Sequence, residues 1–257
     1  RRALGLPPNC KRAERVDTAL AKRALALFEQ ALEQPDEARA AWIEAQQYLR
    51  DWDEFKKKSA EYAKDKKGDE PKQPKRDLRL ETLAGVLKGQ ILVQNHCYRA
   101  DEMAVMLDIA KEFGYKITAF HHAVEAYKIA DKLAENQVCA AIWADWWGFK
   151  HEAFDMIREN VALVDKQPNS CAIVHTDSSI GIQHMNQDAA KAMSAGNKLG
   201  LKIPRARAIQ WITLNPARAL GIADVTGSLE AGKNADLVIW DRDPFSVYAK
   251  AQQVYLD

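Results

Sequence analysis

Four stretches of this 257-residue chain run into side chains able to hold a metal ion or move a proton. His96 follows the run ILVQN at 91–95, and His121 and His122 follow KITAF at 116–120. Asp145 follows VCAAIWA at 138–144, and His175-Thr176-Asp177 follows CAIV at 171–174. Neutral imidazole nitrogens suit zinc and similar divalent ions, and a carboxylate beside such an ion can take a proton from water. Taken singly, each histidine reads more readily as a structural hydrogen-bonder at a strand end than as a ligand. Their recurrence after successive runs is what points to a metal site.

The elements that must position these groups are legible in the same region. The four runs are short and β-rich, and helical periods separate them: Met103, Met106, Leu107, Ala110, then Val124, Ile129, Leu133, then Phe154, Ile157, Val161, Val164. Such β-α alternation implies a parallel sheet covered by helices, whose strand ends lie on one edge. A barrel and a doubly wound sheet both fit the alternation. No GxGxxG or GxxxxGK[ST] follows any run, which removes the usual phosphate cradles and favours a barrel carrying a metal site.

Upstream, Val16, Leu20, Leu27, Ala31 and then Trp42, Ala45, Leu49, Trp52 recur at helical steps. Pro35 is expected to break one helix and Asp36 to cap the next, giving a helical hairpin. Residues 55–76 carry nine Lys/Arg against four Asp/Glu with two prolines, the pattern of a solvated helix end and a loop. The apolar stripe through Trp42, Tyr48, Leu49, Trp52 and Phe55 is expected to pack on the barrel mouth or on another subunit. Downstream, RARAIQWITLNPARALGI is helical with a break at Asn215-Pro216. Gly227 and Gly232 are expected to bracket a hairpin, with Leu237–Trp240 a buried strand.

Charge and composition narrow the partners. With 37 Lys+Arg against 36 Asp+Glu there is no basic field to attract nucleic acid, and 47% hydrophobic residues exceed what a disordered chain carries. The longest apolar run, Val138 to Ala144, is far short of the roughly 18–20 residues of a membrane span. Cys10, Cys97, Cys139 and Cys171 form no CxxC pair and read as small core residues. The chain begins RRALGLPPNC, and is expected to be a processed or truncated piece. Nothing here separates a cytoplasmic from a periplasmic or secreted location.

The segments HCYRADE at 96–102, HHAVEAYKIAD at 121–131, HTDS at 175–178 and NPARALGI…GSLEAGKNADLVIWDRDP at 215–244 resemble the second half of an amidohydrolase-superfamily enzyme, nearest the imidazolonepropionase-like and Xaa-Pro or Xaa-Arg dipeptidase-like branch. The resemblance covers about residues 77–257, and its last motif is the most specific. It implies an α/β fold: the second half of a (β/α)8 TIM-type barrel, with a helical insertion over 1–76, strand-end site residues over 77–222, and strands of a small β-sandwich over 223–257. It further implies His96, His122 and Asp177 as ligands to one or two divalent ions, zinc first, with Asp177 also shuttling protons. His122 matches the motif better than His121. Tyr98, Arg99 and His175 are candidates to contact substrate, although Arg99 can equally pair with Asp101 or Glu102, and His175 can equally support the strand end. His151 and His184 read as surface or loop residues.

The family's opening His-x-His pair and its bridging Lys or Glu have no counterpart here, and residues 1–76 contain no histidine. The implied partners are therefore a small-molecule or peptide substrate, the missing N-terminal half of the barrel in cis or as another chain, and further copies of the chain. The implied reaction is hydrolysis of a C–N bond in an amide, peptide or cyclic amide. The alternatives are a mononuclear aminohydrolase, in which a Glu often stands where Arg99 does, and a non-catalytic helical scaffold that grips a partner through residues 13–66.

Overall fold

The computed structural model describes residues 35–146 and 148–256. The first helix of the expected hairpin, and Cys10, lie outside them. Helix α1 (Pro35–Asp65) begins at the proline, whose missing N–H is not needed in a first turn, with Asp36 and Glu37 against the positive helix end. Residues 66–77 then form neither helix nor strand and are mostly exposed. Asp77 starts α2 (Leu78–Leu87) by accepting the Leu80 N–H at 3.1 Å.

Four β/α repeats follow. Strand β1 (Val93–Cys97) leads to α3 (Ala100–Phe113), β2 (Ile117–His122) to α4 (Ala130–Glu135), β3 (Cys139–Ile142) to α5 (Asn160–Asp165), and β4 (Ala172–Val174) to α6 (Met185–Lys198). Short helices α7 (Arg205–Ala208) and α8 (Leu214–Ala219) come next, then β5 (Leu237–Trp240) and β6 (Ala251–Tyr255). The first four strands form one parallel sheet in the order β1-β2-β3-β4, and β5 and β6 form a separate antiparallel pair.

The parallel sheet has two unlike faces. On one, Val93, Cys97, Ile117, Phe120, Ile142 and Val174 pack against Met103, Met106, Leu133, Val161 and Trp211 of the helical layer. On the other, Ala119, Cys139, Ala141, Cys171 and Ile173 meet Ala219 of α8. Among the described residues β1 and β4 each pair with a single strand. The outer edge of β4 is blunted by Asn215, buried in α8, whose side-chain amide donates to the Ala172 carbonyl at 2.7 Å.

Five expectations change. The cysteines do not all stand as small core residues: Cys139 and Cys171 are joined in a disulfide, because adjacent strands bring their Cα atoms to 4.4 Å on the same sheet face. Cys97 is buried and free. The α1 stripe docks away from the strand ends that carry the histidines. Trp42 stacks on Tyr115 at 4.3 Å and lies near Phe113, at the end of α3 that leads into the start of β2. Leu237–Trp240 is a strand but not a buried one, since Val238 and Ile239 are exposed. No strands flank Gly227 and Gly232; the antiparallel pairing there joins 237–240 to 251–255. The break at Asn215-Pro216 falls at Thr213, so that both residues open α8.

Trp42 is 2% exposed and anchors α1. Trp42→Ala is expected to cost about 3–5 kcal/mol, read as a lower urea midpoint. An unchanged midpoint would mean that α1 adds nothing to the core.

Candidate metal centre

The carboxyl ends of the four parallel strands converge on one edge, and four histidines arrive there. His96 ends the polar part of β1 and His121 and His122 close β2, while β4 delivers His175 and, after a bend, Asp177. At His122 the backbone leaves the strand with φ +67°, followed by φ +24° at Ala123. Residues with side chains adopt that region only where surroundings hold them. The holder is Asn160, fully buried at the start of α5. Its amide nitrogen donates to the carbonyls of Ala123 (3.0 Å) and Val124 (2.7 Å), and its oxygen accepts the Tyr127 N–H at 2.9 Å. Glu125 ties the same loop to the preceding one, its carboxylate accepting the Ala100 N–H at 2.9 Å where α3 begins.

The donor atoms of His122, His175 and Asp177 all lie within 4.8 Å of one another. His122 Nδ1 stands 3.2 Å from Asp177 Oδ2, and His175 Nδ1 stands 3.9 Å from Asp177 Oδ1. The His122 backbone N–H donates to His175 Nε2 at 3.2 Å. His96 lies against this group with its Nδ1 facing His122 Nε2. His121 turns aside, its Nε2 hydrogen-bonded to Gln94 Oε1 at 2.7 Å, and Gln94 also donates to the Ala219 carbonyl at 3.4 Å.

Burial is the main cause that holds His121, His122 and His175 below the usual imidazole range, with neighbouring imidazoles adding to it. His175 is pushed down to about 3. These rings are therefore neutral near pH 7 and keep lone pairs for a metal. His122 Nδ1 is buried with no hydrogen-bond partner, and Asp177 Oδ2 faces it at 3.2 Å. A buried, neutral, unsatisfied imidazole nitrogen facing a carboxylate is a donor set that fits a divalent cation.

The other singled-out residues fall into place around this group. Tyr98 stacks on His122 at 4.9 Å and 12°. Arg99 is exposed and pairs with Asp101 through two nitrogens at 3.1 and 3.2 Å, so its guanidinium is engaged outside the cluster. Asp145 is held by Lys191 Nζ at 2.8 Å and lies outside the grouped donors. His151 and His184 are exposed. His175, read from the sequence as a substrate contact, stands among the grouped donors. Asn160 and Gln94 were not legible as parts of the site, and neither was Trp143, whose ring packs on His122 at 4.8 Å. An asparagine at a helix start reads as a cap, and its partners are a loop distant in sequence.

Residues 88–256 match the profile of the Amidohydrolase family. The chain is 32% identical over 185 residues to amidohydrolase tasK of Hapsidospora irregularis, covering 70% of this chain and 18% of that protein. It is 43% identical over 68 residues to imidazolonepropionase of Mesorhizobium japonicum, covering 26% of this chain and 16% of that one. Among solved structures it resembles an amidohydrolase from Thermotoga maritima with a TM-score of 0.66 and 28% identity, covering 84% of this chain and 53% of the other. The chain thus spans under a fifth of the two curated relatives and about half of the solved one.

Proposed function

The chain belongs to the amidohydrolase family, and from that premise we propose that it carries the metal-binding edge of a hydrolase that cleaves a C–N bond in an amide, peptide or cyclic amide. The observation that carries the reading is the trio His122, His175 and Asp177 at one sheet edge, with donors within 4.8 Å of one another. His122, His175 and Asp177 would hold the ion, with His96 beside them. When bound, such an ion supplies Lewis acidity toward a carbonyl and toward water. Asp177, with its side chain 47% exposed, is open to solvent while facing His122. It takes a proton from the attacking water and passes it to the leaving nitrogen. Tyr98 covers one face of His122 and Trp143 packs on the same ring, keeping bulk water from that side.

Zinc titration by calorimetry tests the site. The expected result is a saturable site that His122→Ala weakens by about 100-fold or more, since even groups behind the ligands cost 10–100-fold. Equal zinc affinity in the variant would remove His122 from the site.

Among the described residues β1 and β4 are the edges of the parallel sheet, and apart from the Ala172 carbonyl held by Asn215 their outer sides can receive further strands; the solved relative is about twice as long as the part this chain matches. We propose that further barrel strands, in cis or from another chain, cover those edges and complete the coordination. Residues 1–257 alone are then expected to associate, bind zinc weakly and show no hydrolysis. A monodisperse monomer with tight zinc and turnover would overturn this.

A further inference from the structure

Beyond β3 the chain enters a segment that the metal site does not use. Trp143 is buried and stacks on His175 at 5.7 Å and 21°. Among the described residues two more rings extend outward from it. Trp146 stands edge-on to Trp143 at 5.6 Å, Phe149 meets Trp143 at 5.5 Å, and the two outer rings are 5.7 Å apart. Trp146 is 45% exposed and Phe149 57% exposed. A contiguous aromatic surface in water, backed by a ring that touches two of the grouped histidines, marks a place for a ligand rather than a packing remnant.

Lys150 adds a charge to that surface. Its Nζ lies 3.9 Å from the centre of the Tyr98 ring and 5.7 Å from that of Phe149. Tyr98 lies in turn on His122, so the ammonium sits one ring beyond the metal site. Arg99 pairs with Asp101, and Lys128 with Glu125 and Asp155. Among the described residues no carboxylate pairs with Lys150. Aromatic faces hold the ammonium in place without neutralising it, which leaves it able to receive an anion.

Resting on the hydrolase reading above, we infer that Trp146, Phe149 and Lys150 form the subsite for the far end of the substrate. The class selected is an N-acyl or peptide-type compound ending in a planar apolar side chain with a free carboxylate. The rings take the side chain and the Lys150 ammonium takes the carboxylate. Arg99, next to Tyr98 in the chain, is engaged by Asp101.

The test uses tryptophan fluorescence of the whole protein titrated with N-acetyl-L-phenylalanine, N-acetyl-L-phenylalaninamide and N-acetylglycine, with zinc titrated in parallel. N-acetyl-L-phenylalanine is expected to bind about tenfold more tightly than either comparator, the scale of one charged hydrogen bond or one stacked ring. Lys150→Ala should remove the advantage over the amide and leave the advantage over N-acetylglycine, while Lys150→Arg retains both. Phe149→Ala should do the reverse of Lys150→Ala. Equal affinities for all three compounds, or equal losses of acid and amide in Lys150→Ala, would overturn the subsite. If zinc binds normally while the preference is absent, the subsite fails and the metal reading stands. If the preference is present and zinc does not bind, the subsite is supported and the metal reading fails.

Discussion

With the sheet completed, Asp177→Asn is expected to lower kcat by roughly 10² or more, the usual contribution of a positioned general acid or base. The amide keeps the size of the carboxylate but can neither accept the proton nor offset a cation beside His122 and His175. Zinc affinity should fall in the same variant, because Asp177 Oδ2 is 3.2 Å from His122 Nδ1 and belongs to the grouped donors. Steady-state kinetics on a C–N substrate together with metal analysis reads both effects. Near-normal turnover at full metal occupancy would exclude Asp177 from the proton path.

Reduction of the Cys139–Cys171 disulfide is the second change expected to have a large effect. The bond closes a loop across a sequence separation of 32 residues, for which chain entropy alone predicts about 3–4 kcal/mol. At this chain length that corresponds to a fall in Tm of about 10 °C. The loss should be concentrated in β4, which has three residues and, among the described residues, a single neighbouring strand, and which leads directly into His175 and Asp177. At its other end β4 is held to β3 by the stacking of Trp143 on His175. Thermal unfolding with and without a phosphine reductant, and of Cys139→Ser/Cys171→Ser, reads the effect. Identical Tm values would show the bond to be energetically idle.

The parallel β/α order was legible because each strand is an apolar run bounded by helical periods. Its boundaries were less so. Ile91 and Leu92 read as strand but lie before β1, exposed, whereas the strand continues through Asn95, His96 and Cys97. Apolar runs mark the middle of a buried strand, and the strand ends that carry chemistry are polar. The convergence of His122 and Asp177 was readable from their position after two strands. The grouping of His175 with them was not, because it depends on how the chain bends after Val174. The disulfide was equally hidden: two cysteines 32 residues apart become neighbours only once β3 and β4 are paired in register. Leu237–Trp240 shows the converse, an apolar strand whose central residues stay exposed, because hydropathy does not say whether anything lies over a surface.

The anchoring of the His122 loop by Asn160 makes this histidine-bearing edge hard to transplant. Asn160 lies 37 residues after Ala123, on a helix that a local copy of β2 and its loop would leave behind. A graft of residues 117–127 onto another sheet would carry His122 without the group that holds its left-handed backbone, and the ring would relax with the chain. Any scaffold built to borrow this site must therefore include the first turn of α5, with an amide at the Asn160 position.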